Sequence, residues 1–483
     1  MRGHALTARL HRHDIATLAS LGAYAALAGL LVATRLVGLD RGFWHDEIVT
    51  LREYVREGPG QILAGPYVPN NHELFSLLGW ATSALVGESE LALRLWSVLP
   101  FLTGALLVTA WLDLRVGRLA GLLFLYFVVV SPLLLDVTRQ ARGYGLAFLA
   151  MAVLVVAALE ADRHARPAAV VALAGAGLVG TLTLPSFLPA FLATAGALAL
   201  QARLRRRVAL ATAAVLVLGA AWYAPHVGSI RESAGQDLGA AIHPLGLPTA
   251  PFDQVLIPAY LGIDGGVVLF DAAWLPAILV PALLVGSSPL LRSARTALLV
   301  CSGVGATLGV VWVARMHAVP RFWTFLLVPL LVLLATGTAS VLARLGTRRP
   351  AIARSVLAVP LVIVLPLAHA ETIREIVQLP REAHRDAAAF VRSAVPDDVP
   401  VLAYQTHPGD TAFYLGRPVV PAQRPHEVVA RLCGSSEPIV VVEQPWVFPP
   451  LAPPCASEQG VRSARFPQYA RGGEIRVWIA GPR

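Results

Sequence analysis

The stretch RGFWHDEIVT, Arg41–Thr50, sets a tryptophan, a histidine and two carboxylates, Asp46 and Glu47, side by side after a long apolar run. Its meaning depends on what that run is. Residues 15–39 make about 25 mostly apolar positions, enough to cross a bilayer as one helix. Arg2, Arg9 and Arg12 precede the run and no small-residue cleavage site follows. It therefore reads as an uncleaved first span rather than a signal peptide. The acidic pair then stands at a membrane surface.

The rest of the chain supports that setting. Of its 483 residues, 56% are hydrophobic and only 14% charged, too few charges to cover a soluble surface of this size. Mean hydropathy is +0.63. The net charge of +9 comes entirely from arginine, since the chain has no lysine. The arginines stand in short clusters between apolar runs, which is a topology signal and not a nucleic-acid surface.

About eleven candidate spans follow from apolar length. They lie near residues 15–39, 91–112, 119–135, 145–161, 168–183, 186–202, 208–224, 268–287, 297–313, 322–343 and 355–370, with the fifth and sixth divided at Pro185. Alternate loops carry Arg115 and Arg118, Arg163 and Arg166, Arg203 with Arg205–Arg207, Arg292 and Arg295, and Arg344, Arg348, Arg349 and Arg354. The positive-inside rule puts these loops and the N-terminus in the cytoplasm. The segment His72–Gly87, HELFSLLGWATSALVG, is short for a span and reads as an interfacial helix. Ile48, Leu51 and Val55 mark a similar short helix after the acidic pair. The outer segments are then 40–90, 136–144, 184–186, 225–267, 314–321 and 371–483.

The expected architecture is an α-helical polytopic membrane protein over residues 1–370, with interfacial helices in the first outer loop, 40–90, and a small extracytoplasmic α/β domain over 371–483. In that domain REAHRDAAAFVRSAV reads as a helix, and VPVLAYQ, EPIVVVEQ and EIRVWIAG read as strands. Cys433 and Cys455 lie there and could pair in an oxidising compartment, whereas Cys301 reads as a small core residue.

Almost every unusual polar residue of the membrane part falls in an outer segment. Asp46 and Glu47 are a candidate general base with a supporting acid or metal ligand, because adjacent carboxylates repel and one becomes easier to protonate. PNNHELF adds Asn70, Asn71 and His72; the histidine could orient an acceptor or shuttle a proton, although asparagines at such a junction also cap helices. DVTRQARGYG supplies Arg139 and Arg142, three apart and on one face of a helical start, with Tyr144 beside them. Paired guanidiniums suit a phosphate; snorkelling at the interface would also account for them. RMHAVPRFWTF adds Arg315, His317 and Arg321, where topology calls for no positive charge. No P-loop, G-x-S-x-G or HExxH is present. A carboxylate base, phosphate-binding arginines and interfacial helices on one face suit an anionic lipid carrying a transferable group.

These motifs resemble a family. FWHDE after the first span, the segment NNHELFSLLGWATSALVGESELALRLWSVL, SPLLLDVTRQARGYGLAFL and PRFWTFLLVPLL are similar in order, spacing and sidedness to membrane-embedded GT-C glycosyltransferases. The branch with protein O-mannosyltransferases and lipid A aminoarabinose transferases is the nearest in pattern. The resemblance covers residues 30–150 most specifically and thins near 314–335. It implies a polyprenyl-phosphate sugar donor, a lipid, glycan or protein acceptor, and inversion at the anomeric carbon. It implies that Asp46 activates the acceptor hydroxyl, that Glu47 assists or binds a divalent cation, and that Arg139, Arg142 and Arg321 stabilise the leaving lipid phosphate. His72, Asn71 and Tyr144 complete the expected site. Two departures stand out: Glu73 follows His72 where relatives often have proline, and TLTLPSF lacks a histidine often found there. A transporter or flippase for lipid-linked sugars, or a glycan-binding scaffold, is the alternative reading. Against transport, the charges gather on one face rather than at mid-membrane.

Overall fold

Long apolar runs take helical form because a backbone in hydrocarbon must satisfy its own N–H and C=O groups. A computed structural model describes residues 2–68, 71–229, 281–313, 320–348, 365–445, 450–457, 461–469 and 473–481. Its first helix, α1, runs Arg2–Leu36, and the outer loop that follows carries α2 (His45–Thr50), α3 (Pro59–Ala64) and α4 (Glu73–Val86). The membrane part continues with α5 (Glu90–Arg115), α6 (Arg118–Val130), α7 (Pro132–Thr138), α8 (Tyr144–His164), α9 (Pro167–Thr183), α10 (Leu188–Ala199) and α11 (Ala202–Tyr223). The helices Ala294–Val313 and Leu327–Arg348 follow.

Among the described residues, five helices are long and apolar enough to cross a membrane, or six if the bent pair α6–α7 counts as one span. The protein is therefore a helical membrane protein, while the expected count of about eleven spans is not reached by this measure. The helices at 167–183, 185–199 and 294–310 sit where spans were expected but are shorter. The expected spans at 268–287 and 355–370 lie mostly outside the described residues.

The expected span 119–135 is not one helix. Ser131 accepts the Leu134 N–H at 3.3 Å and starts a new helix there. Pro132, which has no N–H to continue the α6 ladder, takes its first position. α7 leaves α6 at 68°. That bend brings residues 139–143 to the Asp46–Glu47 segment.

One apolar core joins α5, α6, α8, α9 and α10 to the two later helices, around Phe101, Phe124, Phe148, Phe187, Phe191 and Phe325. α5 and α8 cross so closely that a Cβ at Gly145 would overlap the Ser97 carbonyl. In α4, Phe75, Ser76 and Gly79 are buried, whereas Leu85 and Val86 are exposed, and the helix is shorter than a span.

The C-terminal part is a mixed sheet with strand order β2-β1-β3-β5-β4. Its strands are β1 (Val401–Tyr404), β2 (Val420–Ala422), β3 (Ile439–Glu443), β4 (Val461–Pro467) and β5 (Glu474–Ala480). β2, β1 and β3 are parallel, and β5 and β4 close the sheet antiparallel. Every residue of β3 is buried, as a central strand covered on both faces requires. Val440 and Val442 pack with Ala387 and Val391 of helix His384–Ala394. Val441 packs on the other face with Val428 and Leu432 of helix Pro425–Gly434. Cys433 and Cys455 are disulfide-bonded, with Cα atoms 5.5 Å apart. β1, β3, β5 and the first helix match the expected elements. β2, β4 and the helices Pro408–Leu415 and Pro425–Gly434 were not anticipated. The expected boundary at residues 370/371 falls inside a helix, Leu365–Gln378.

Candidate active site

Asp46 and Glu47 do not share one environment, because different arginines hold them. Glu47 is the third residue of its helix, and its carboxylate accepts the Trp44 N–H at 3.1 Å, closing the first turn of α2. Arg94 of α5 then grips it at both oxygens, Nε to Oε1 at 2.9 Å and Nη2 to Oε2 at 2.6 Å. The Ala141 N–H also donates to Oε1. Arg94 spends its remaining donors on the carbonyls of Leu39, Arg41 and Gly42. Glu47 and Arg94 thus form a buried clamp that sets the path of residues 39–47. A divalent cation at Glu47 would have to displace these donors.

Asp46 is the freer carboxylate. Its Oδ2 lies 3.0 Å from Arg321 Nη2 and 3.8 Å from Arg142 Nη1. Arg142 also donates to the Asp46 carbonyl at 3.3 Å and meets His72 Nε2 at 3.1 Å. Arg321 lies over the Trp44 ring, 5.3 Å from its centre, and its side chain is 27% exposed. Two guanidiniums from distant parts of the chain therefore converge on one carboxylate, one rigidly buried and one open to the surface.

His72 is contacted at both ring nitrogens. The Gly143 N–H addresses Nδ1 at 2.8 Å while Arg142 addresses Nε2. A neutral imidazole accepts at one nitrogen only, so Nδ1 takes the Gly143 N–H and the role of Nε2 toward Arg142 depends on the tautomer. Burial, with the charges of Arg142 and Arg321, holds His72 well below the usual histidine range. Tyr144 packs edge-on against the His72 ring, 4.9 Å between centres. The Tyr144 hydroxyl has no hydrogen-bond partner among the described residues. Gly143 is small for a reason: a Cβ there would meet Thr183 and His72.

Two expected ligands go elsewhere. Residues 139–143 form the turn between α7 and α8, so Arg139 and Arg142 do not share a helical face. Arg139 donates to the carbonyls of Ile376 and Val37 instead, fastening the membrane part to the C-terminal part. Asn71 is buried, and its Oδ1 accepts the Ser76 hydroxyl at 2.8 Å, a local tie within the start of α4. Asn70, Arg315 and His317 lie outside the described residues.

Other residues matter that sequence reasoning passed over. Arg94 sits inside an expected apolar span, and an arginine there is itself a signal. Glu73, the departure from the family pattern, is buried and bonded by the Trp222 indole N–H, with His226 Nε2 at 3.2 Å. Burial pushes its carboxyl up to about 7, and the Trp222 bond only partly offsets this. Arg381 ion-pairs with Asp136, which also accepts the Tyr469 hydroxyl at 2.7 Å. Arg381 lies 4.2 Å from the centre of the Trp44 ring, so the C-terminal part covers the far side of that residue.

No family model matches the chain, and no curated protein matches it. Solved structures do. The apo structure of ArnT from Cupriavidus metallidurans superposes with a TM-score of 0.56 at 16% identity, covering 96% of this chain and 100% of that one. The same protein bound to undecaprenyl phosphate gives 0.50 at 15% identity, covering 96% and 99%. The archaeal oligosaccharyltransferase AglB from Archaeoglobus fulgidus gives 0.51 at 13% identity, covering 88% of this chain and 69% of that one. The chain has the GT-C fold. Within that fold Asp46 stands in α2, the short helix that follows the first long helix. The likeness spans the C-terminal sheet as well as the helices, since nearly the whole chain is covered.

Proposed function

We propose that this chain is a membrane glycosyltransferase. It moves a sugar from a polyprenyl-phosphate donor to an acceptor hydroxyl at the outer face of the cytoplasmic membrane, with inversion. The observation that carries this reading is Asp46 lying between Arg142 and Arg321 in a GT-C fold. Two neighbours in that fold add to it: ArnT bound to undecaprenyl phosphate, and AglB in complex with an inhibitory peptide and a dolichol-phosphate.

The chemistry follows from these groups. The acceptor hydroxyl gives its proton to Asp46 as its oxygen bonds to the anomeric carbon. The bond from that carbon to the phosphate oxygen breaks on the opposite face, and its electron pair leaves with the polyprenyl phosphate. Arg142 and Arg321 offset the growing charge on that oxygen. Both are paired with Asp46 before the donor arrives. A donor phosphate competes for them and so frees the carboxylate to act as a base. His72 holds Arg142 in place, and Glu47 with Arg94 fixes the helix that presents Asp46. Tyr144 and Asn71 shape the floor beneath. Arg139 has no part in the phosphate contact on this reading.

About eleven spans, with the N-terminus inside and the sheet outside, remain the topology that the arginine pattern favours. The Cys433–Cys455 bond supports an oxidising compartment for the sheet. The test is transfer by the purified chain from a panel of polyprenyl-phosphate sugars, followed by release of polyprenyl phosphate and product mass. Release that depends on both donor and acceptor supports the proposal. Movement of the lipid across vesicles without any transfer product would replace it with a transporter.

A further inference from the structure

A second group of chemistry-bearing side chains lies beside α2, outside the set just described. Glu382, His384 and Asp410 are all buried, and one ligand atom from each lies within 4.8 Å of the others. They come from the C-terminal part: the segment before helix His384–Ala394, that helix itself, and helix Pro408–Leu415. His384 is aimed. Its Nδ1 lies 3.2 Å from the Thr411 hydroxyl, which fixes the ring and turns Nε2 toward the carboxylates. That nitrogen is fully buried and has no hydrogen-bond partner among the described residues. It lies 3.5 Å from Glu382 Oε2 and 3.8 Å from Asp410 Oδ2. Those distances are long for hydrogen bonds. They are near the roughly 3.3 Å that separates two ligands each about 2 Å from a tetrahedral ion.

We propose that Glu382, His384 and Asp410 bind a divalent metal ion, zinc by donor type, at the joint between the sheet domain and the helix that carries Asp46. One imidazole and two carboxylates suit zinc better than calcium or magnesium, which take oxygen alone. Charge argues the same way. Two buried carboxylates converge, and the ion-pair partners of Asp410 are the histidines His45 and His384. A divalent ion between them would place its charge against both carboxylates at once. The site also touches α2 directly. The His45 N–H donates to Glu382 Oε2 at 3.0 Å, and His45 Nδ1 meets both Asp410 oxygens at 3.0 Å. His45 precedes Asp46. The ion therefore fixes the start of α2 and makes the sheet domain a positioning element for the base.

The full-length chain in detergent is stripped with a chelator, dialysed, and titrated with zinc and with cobalt(II). Metal content, the visible cobalt spectrum and the unfolding temperature are read, none of which depends on sugar transfer. The expected result is one zinc per chain, a tetrahedral cobalt band, and a lower unfolding temperature after stripping. Asp410→Asn and His384→Ala lose the metal. His226→Ala, which alters the other buried carboxylate–imidazole pair, keeps it. Less than stoichiometric zinc in the wild type, or full zinc in folded Asp410→Asn, overturns the proposal. Should the variants fail to fold, X-ray absorption of the wild-type zinc site decides: one imidazole with oxygen ligands supports it, and sulfur or all-oxygen ligation overturns it.

Discussion

Asp46 and Arg321 are the pair on which the chemistry turns. Arg321→Ala removes the more exposed guanidinium, so donor binding should weaken by about tenfold to a hundredfold, the scale of one charge-assisted contact. Arg139→Ala should leave donor affinity unchanged, because its donors serve the Ile376 and Val37 carbonyls. Titration of a labelled polyprenyl phosphate against both variants checks this; equal loss in the two would contradict the assignment. Asp46, Arg142 and Arg321 were named together from the sequence because arginine counting assigned them to one face, and the structure brings the three into contact. Arg139 misled because a spacing of three implies a shared face only on a helix, and these residues form a turn. The role of Glu47 was hidden because Arg94, its partner, lies 47 positions away in an apolar run. Arg94→Ala leaves Glu47 charged and buried, and should cost about 3–5 kcal/mol of stability, with Glu47→Gln milder. Unfolding temperatures in detergent measure the difference, and a neutral Arg94→Ala would remove the clamp.

At the scale of the element, the start of α4 places two titrating groups with opposite slopes side by side. His72 is held below its ordinary value, so its contribution is present above about pH 6.5 and is lost as pH falls. Glu73 is raised to about 7 from 4.5, so its contribution is full below 4.5 and is lost as pH rises through about 7. The two slopes oppose each other in the wild type. Glu73→Gln should unmask the histidine slope, with the unfolding temperature falling from pH 7 to pH 5. His72→Asn should unmask the reverse. A flat profile for both variants would contradict the burial argument. The helical form and short length of α4 were readable from its periodic apolar face. The break between α6 and α7 was also written in the chain, as Ser131–Pro132, but an unbroken apolar run concealed it. The Glu73–His226 contact joins residues 153 positions apart, and local pattern does not reach so far.

Across the whole molecule, a helical frame in the membrane presents one polar face, and the sheet domain is fastened over that face. Arg41, Arg139, Arg381 and Arg385 tie the two parts together, reaching Leu379, Ile376, Asp136 and Asp40 respectively. The apolar runs disclosed the predominantly helical membrane part. The docking of the sheet was not disclosed, because it rests on long-range arginine contacts to backbone carbonyls and to the Asp136 carboxylate that leave no local sequence signature. With the sheet outside, membrane-impermeant thiol reagents should modify Cys433 and Cys455 in intact cells only after reduction. Reduction should also cost about 2–5 kcal/mol of sheet-domain stability. Labelling from the cytoplasm alone would reverse the topology. The central claim is that Asp46 is the base of a sugar transfer, and Asp46→Asn tests it most directly. Purified wild type and variant are compared for transfer from a polyprenyl-phosphate sugar and for binding of the same donor. The account predicts transfer reduced by about 10²–10⁴ with donor binding and unfolding temperature retained; wild-type transfer by Asp46→Asn would contradict it.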